Sequence, residues 1–212
     1  MAKMINFEGI TLLMLPVLVV LLFYFWKKQK RNISFLFCFS VFFVYLLYVA
    51  GVTILPIRLF DSSYTQSMRE AFSWTSFINL IPFCGMSTEY FFSKQVMGNV
   101  LLTVPFGLGL PFIAATNFRS IAWKGLLFTV SIELIQLLTN VTYIAGYGYR
   151  QVDINDILFN FLGTMIGYSL FRSIVWLYRK TPMENQPVVG VWEHMHTVLT
   201  TSWKEQKERK YH

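Results

Sequence analysis

The densest run of chemically capable side chains lies in Arg150 to Gly167, RQVDINDILFNFLGTMIG. Asp153, Asp156, Asn160, Gly163 and Gly167 recur at steps of three or four, so an α-helix stacks them along one face. A second stripe, Thr129, Glu133, Gln136 and Asn140, occupies the preceding apolar segment at helical spacing. Ionisable groups inside segments able to span a bilayer are costly, and they are kept for pairing or function. Glu133, Asp153 and Asp156 against the single Arg150 cannot all be charged at close quarters unless a proton or a further cation joins them. Three kinds of chemistry are open to such a set. The acids can bind a cationic or hydroxyl-rich ligand while Arg150 grips a phosphate or carboxylate as a fork. They can hold Mg²⁺ or Ca²⁺ through oxygens, no histidine or thiolate lying among them. They can carry out general acid–base chemistry on a lipid-linked substrate. The bland alternative is an internal network that braces helices. Gly163 and Gly167, four apart, read as helix-packing positions.

The elements that must position these residues are membrane helices. Of 212 residues, 55% are hydrophobic and 14% charged, a balance foreign to soluble domains. The runs Ile10 to Trp26, Ile33 to Ile57, Val96 to Ala115, Ile121 to Leu138 and Asp153 to Tyr178 approach or exceed the roughly 20 residues a helix needs to cross the hydrocarbon core. The predicted fold is therefore all-α, a polytopic membrane bundle of about five transmembrane helices. Positive charge follows the first run rather than preceding it, which reads as a retained helix, not a cleaved signal. Two helices fill 1–57. The connection 58–95 is rich in aromatic residues, too short and interrupted to span, and is expected at the interface or as a re-entrant hairpin with a bend at NLIPF, 79–83. A three-helix remainder fills 96–180, its first helix kinked or broken by Pro105 and Pro111. The tail 181–212 reads as an amphipathic helix on the inner leaflet, with His194 and His196 solvated. Cys38 and Cys84 are too few for a disulfide framework and are expected to be reduced, near opposite membrane faces.

The segments NLIPF (79 to 83), GNVLLTVPFG (98 to 107), SIELIQ (131 to 136) and RQVDINDILFNFLGTMIG, in this order, resemble the VanZ-like family of bacterial membrane proteins. The resemblance runs from about Asn79 to Gly167. It carries onto Asn79, Pro82, Asn99, Pro105, Gly107, Glu133, Gln136, Arg150, Asp153, Asp156, Asn160 and Gly163, and makes Asn79 and Asn99 ligand-binding candidates beside the acids, Arg150, Gln136 and Asn160. It implies a multi-pass protein of the bacterial plasma membrane that lowers susceptibility to teicoplanin by binding or altering an outer-leaflet envelope component. The partners so implied are membrane lipids or lipid-linked wall precursors, and the lipoglycopeptide itself. A binding role is expected ahead of a catalytic one. An intramembrane enzyme or transporter acting on a polyprenyl-phosphate-linked substrate, and a scaffold for cell-wall proteins, are the rival expectations. No cofactor, no resident metal and no nucleic-acid partner is expected, the net charge of +7 lying beside the apolar runs.

Charge also orients the bundle. With the N-terminus outside and the C-terminus inside, thirteen Lys and Arg fall on cytoplasmic segments and five (Lys3, Arg58, Arg69, Lys94 and Arg150) outside, as the positive-inside bias requires. A reporter fused after His212 should read cytoplasmic; an extracytoplasmic signal there would invert the topology and move the polar cluster to the inner face.

Overall fold

The computed structural model describes residues 3–5, 7–53, 57–59, 78–84, 86–141 and 152–201. Among the described residues are five long helices, α1 (Phe7–Lys27), α2 (Ile33–Thr53), α3 (Lys94–Gly109), α4 (Phe118–Val141) and α5 (Ile154–Tyr178), with a short α6 (Glu193–Thr200) in the tail. Four of these, α2, α3 with the turn that extends it to Phe112, α4 and α5, are long and apolar enough to cross a membrane. α1, 21 residues long, is the fifth expected span and packs on α2. Among the described residues, sheet is confined to two short ladders. Lys3–Ile5 (β1) runs antiparallel to Ile57–Leu59 (β2), and Ile78–Asn79 (β3) runs parallel to Val152–Asp153 (β4).

Glycine decides how the bundle closes. α3 and α5 form its most extensive contact, and they meet backbone to backbone. A Cβ at Gly163 would collide with the Val100 carbonyl oxygen, one at Gly167 with that of Val104, and one at Gly107 with that of Thr164. Small residues at a membrane helix interface let dispersion act over the whole backbone surface, where lipid offers no hydrophobic drive to association. Gly163 and Gly167 are thus packing positions, and Gly107 completes the seam from the other side. α4 joins next, its Gly125 against the Thr164 side chain and its Phe128 ring stacked on Phe106 at 4.1 Å.

α3 stays helical through Pro105 and gives way to a 3₁₀ turn, Leu110–Phe112, where Pro111 lies. The expected break therefore comes at the second proline. Tyr45 Oη of α2 donates to the Leu102 carbonyl at 2.9 Å, beside the carbonyl of Leu101 that Pro105 deprives of its ladder donor. The half-buried Ser40 and the exposed Ser131, Ser169 and Ser173 each donate to the carbonyl four residues back, at 2.6 to 3.0 Å, so their hydroxyls are satisfied without water.

The tail corrects the sequence reading. α6 does not present its apolar side to lipid: Val198 and Leu199, each 6% exposed, enter a core of Ile121, Tyr168, Phe171 and Val175. Nor are the histidines solvated. His196 Nδ1 meets Tyr178 Oη at 2.7 Å. His194 Nε2 lies 2.6 Å from the Phe112 carbonyl oxygen, its backbone N–H donates to Ser34 Oγ at 3.0 Å, and its ring stands edge-on to Phe35. Histidines separated by one residue do face different ways along a helix, but here each direction holds a bundle element. The aromatic connection before residue 78, Arg150 and the tail beyond 201 lie outside the described residues. Cys38 and Cys84 are both free.

Burial lowers the His194 pKa from its ordinary 6.5, against the opposing pull of the Phe112 carbonyl; Arg31 adds to the lowering and Glu193 opposes it. Both the Nε2–H tautomer and the imidazolium can donate to that carbonyl, so burial is what disfavours the charged ring. An unfolded or undocked tail takes up a proton near pH 6.5 while the docked one resists it, so docking is strongest above that pH and weakens as pH falls through the lowered value. Hydrogen exchange across 193–200, corrected for intrinsic rate, should be faster at pH 5.5 than at 7.5, and His194→Gln should remove the difference.

Candidate functional site

At the end of the bundle opposite α6, the chain enters α5 through a built polar corner. Asp153 sits in extended conformation at the N-cap and its Oδ1 accepts from the Asn155 backbone N–H at 2.8 Å, the standard way to satisfy a donor in a helix's first turn. The same oxygen accepts from Asn155 Nδ2 at 2.8 Å and from Asn79 Nδ2 at 3.1 Å. Asn79 is aligned there by the β3–β4 pair, in which it stands opposite Asp153. Its own Oδ1 takes the Ile81 N–H at 3.2 Å, an Asx-type closure that starts the bend. Asn155 Oδ1 then accepts the Phe83 N–H at 2.9 Å. Phe83 adopts a positive φ of 59°, uncommon for a large side chain, and its ring packs with Phe91 and Phe159. NLIPF is indeed a bend, and two carboxamides and one carboxylate hold it.

One turn into α5 the chemistry changes. Asp156 Oδ1 accepts from Asn99 Nδ2 at 2.6 Å and from Gln95 Nε2 at 3.3 Å, both on α3. Thr103, next in that row, donates to the Asn160 backbone carbonyl at 2.5 Å. From α4, Gln136 Nε2 donates to the carbonyl of Thr53, the last residue of α2, at 2.9 Å. These helices enclose a cleft of about 630 Å³, with Glu133, Gln136, Asn99, Asp156 and Asn160 among its lining. Glu133 is 4% exposed, Gln136 6% and Asn160 2%, so the lining is a desolvated polar floor. Its rim is different: Tyr48, Val52 and Leu101, between 44% and 61% exposed, lie where a bilayer would touch them. Lys94 and Gln95 stand at the mouth beside Gly98.

Five of the eight ligand-binding candidates are therefore brought together: Asn99, Glu133, Gln136, Asp156 and Asn160. Asn79 and Asp153 are not among the cleft-lining residues and form the bend latch instead, while Arg150 lies outside the described residues. α5 packs more extensively on α3 than on α4, so the partners of Asp156 are the α3 carboxamides and not only the α4 residues expected from the short loop. Among the described residues no three His, Cys, Asp or Glu gather as a metal-binding group. Tyr90, in the 3₁₀ turn Thr88–Phe92 that leads into α3, has its phenol pKa raised by burial first and then by the charges of Asp156 and Asp153.

Sequence reasoning passed over Gln95, Asn155 and Tyr48 as site residues, took Lys94 only as a topology marker, and singled out Thr103 only as a position at which to test whether its helix lines a cavity. For Gln95 and Thr103 a stronger signal was present: Gln95, Asn99, Thr103 and Gly107 fall at steps of four, a polar-to-small row that one helix face must carry. Asn155 had a weaker one, an Asp-x-Asn pair where a helix begins.

Replacing Asn155 by Ala leaves the Phe83 N–H without its acceptor and should cost about 1–3 kcal/mol at the bend. Exchange of the Phe83 amide, followed on peptides spanning residues 80–86, should then accelerate roughly tenfold or more; unchanged protection would mean that the bend is held by its ring contacts alone.

The family model described as VanZ/LLP1 matches residues 42–177, well over half of the chain. No curated protein and no solved structure matches.

Proposed function

The chain belongs to the VanZ/LLP1 family, and from that premise together with the form of the cleft we propose that it binds the headgroup of an outer-leaflet envelope lipid in a bacterial plasma membrane, lowering susceptibility to teicoplanin-type lipoglycopeptides. The observation that carries this reading is the division of the cleft into a buried polar floor and an apolar, exposed rim. A lipid can reach such a floor from the side, leaving its chains along Tyr48, Val52 and Leu101 while its head exchanges water for carboxylates and carboxamides. A site of about 630 Å³ is in the usual range of roughly 300–1,000 Å³ for bound small molecules.

The outward placement rests on charge. Lys27, Lys28, Lys30 and Arg31 precede α2, Arg119 and Lys124 start α4, and Arg172, Arg179 and Lys180 close α5. All lie at the α6 end of the helices, and the positive-inside bias supports putting that end in the cytoplasm. Lys180 Nζ lies over the Trp176 ring at 3.6 Å and Lys27 Nζ over Trp26 at 4.1 Å, pairings suited to a headgroup boundary. In this reading resistance arises by holding or masking an outer-leaflet component that the drug would otherwise meet. It requires no hydrolysis of the drug.

Gly98 provides the test. A Cβ there meets nothing within 4 Å, so Gly98→Leu fills the mouth without straining the helix. The purified variant should melt at or above the native temperature yet retain about tenfold less co-purifying lipid, a loss of roughly 1.4 kcal/mol of binding, and cells expressing it at equal level should lose their margin against teicoplanin. Equal lipid content in the two proteins would overturn the reading.

A further inference from the structure

The polar floor also specifies what kind of head it takes, an inference that rests on the cleft being a lipid-headgroup site. Asn160 is 2% exposed and lines the cleft. Thr103 and Thr164 use only its backbone carbonyl, at 2.5 and 3.3 Å. Its side-chain Oδ1 is buried with no hydrogen-bond partner among the described residues. A buried carboxamide with an idle acceptor is uncommon in a native interior, because the lost hydration is not returned. It invites a ligand group that donates.

The company Asn160 keeps narrows the donor. Glu133 and Asp156 are carboxyl side chains, Asn99 and Gln136 carboxamides, and Lys94 is the one cation among the described lining residues, at the exposed mouth. A phosphate is acceptor-only and would be pressed against two carboxyl groups with no donor to give Asn160 Oδ1. An ammonium would answer Asn160 Oδ1 and the carboxyl groups, but it is donor-only and offers nothing to an amide N–H or to the Lys94 ammonium at the mouth. A hydroxyl both donates and accepts, and neighbouring hydroxyls on one ring can serve a carboxamide and a carboxylate together. Tyr48 at the rim adds an aromatic face for the C–H side of such a ring. We infer that the cleft takes the uncharged sugar headgroup of a glycolipid, with the Asn160 carboxamide exchanging hydrogen bonds with ring hydroxyls.

The experiment compares three lipids with identical acyl chains, glucosyl-diacylglycerol, phosphatidylethanolamine and phosphatidic acid, each at the same mole fraction in phosphatidylcholine nanodiscs holding the full chain. Retained lipid is counted by native mass spectrometry. The glucosyl lipid should be retained about tenfold over the other two, and Asn160→Leu, close in volume but unable to hydrogen-bond, should erase that preference. Because Asn160 is packed, Tyr48→Ala at the exposed rim supplies a second variant, expected to keep the native melting temperature and to reduce the preference several-fold. Equal retention of the three lipids, or preference for either phospholipid, overturns the sugar assignment and leaves the lipid-headgroup reading standing. Retention of none overturns both.

Discussion

The close approach of α3 and α5 is the constraint on which the other features depend. In a bilayer, helices gain little from hiding apolar surface, since lipid is as apolar as leucine; what holds them is contact density and a few hydrogen bonds. Gly163, Gly167 and Gly107 bring carbonyls to where a methyl group could not fit. Even one alanine in this seam would force the helices apart, at the few kcal/mol typical of overpacking. Followed toward the β3–β4 end, the same two helix faces change character. Gln95, Asn99 and Thr103 continue the row of Gly107, and Asp156 and Asn160 continue that of Gly163 and Gly167. The polar floor is the far end of the packing seam, so its geometry is fixed to the precision with which the glycines seat.

Buried polarity of this kind is tolerable only when it is answered. Asp156 is answered by two carboxamides, Asp153 by a backbone N–H and two more, Gln136 by the end of α2. Both acids also stand at the start of α5, where the helix dipole favours negative charge. Their duties have separated: Asp153 belongs to the architecture of the bend, and Asp156, one turn on, belongs to the cleft. Two acids that the sequence places in one polar stripe are two devices that share a helix terminus.

That division marks the limit of what the sequence made legible. Apolar run length was enough to place the long helices, and helical periodicity to place Gly163, Gly167 and the stripes of α4 and α5, because each is a local property of one segment. The bend at Pro82 followed from the restriction proline imposes on its predecessor. What holds the bend did not follow, since the bonds from Asn155 to Phe83 and from Asp153 to Asn79 span more than seventy residues. Nor did the destination of the tail. An amphipathic helix shows which side seeks cover, and Val198 and Leu199 found it in Phe171 and Val175 instead of acyl chains. Lys94 was counted for its charge, as a topology marker, and its position at a cleft mouth depended on which helix its neighbours faced.

The docked tail has a mechanical consequence for the cleft at the other end. α3 and α5 are locked by their seam, so a change in cleft width falls to α2, whose side chains Tyr48 and Val52 form part of the rim. Its far end is pinned through Ser34 and Phe35 to His194 and through Asn32 to Glu193. Along its length it is held more lightly, by the Tyr45 hydroxyl on Leu102 and the Phe42 ring on Phe106. Its last residue is held as well, by the Gln136 amide on the Thr53 carbonyl. α2 is therefore a beam anchored at both ends, on the tail at one and on α4 at the other, and a strain applied at the tail is carried along it to the wall of the cleft.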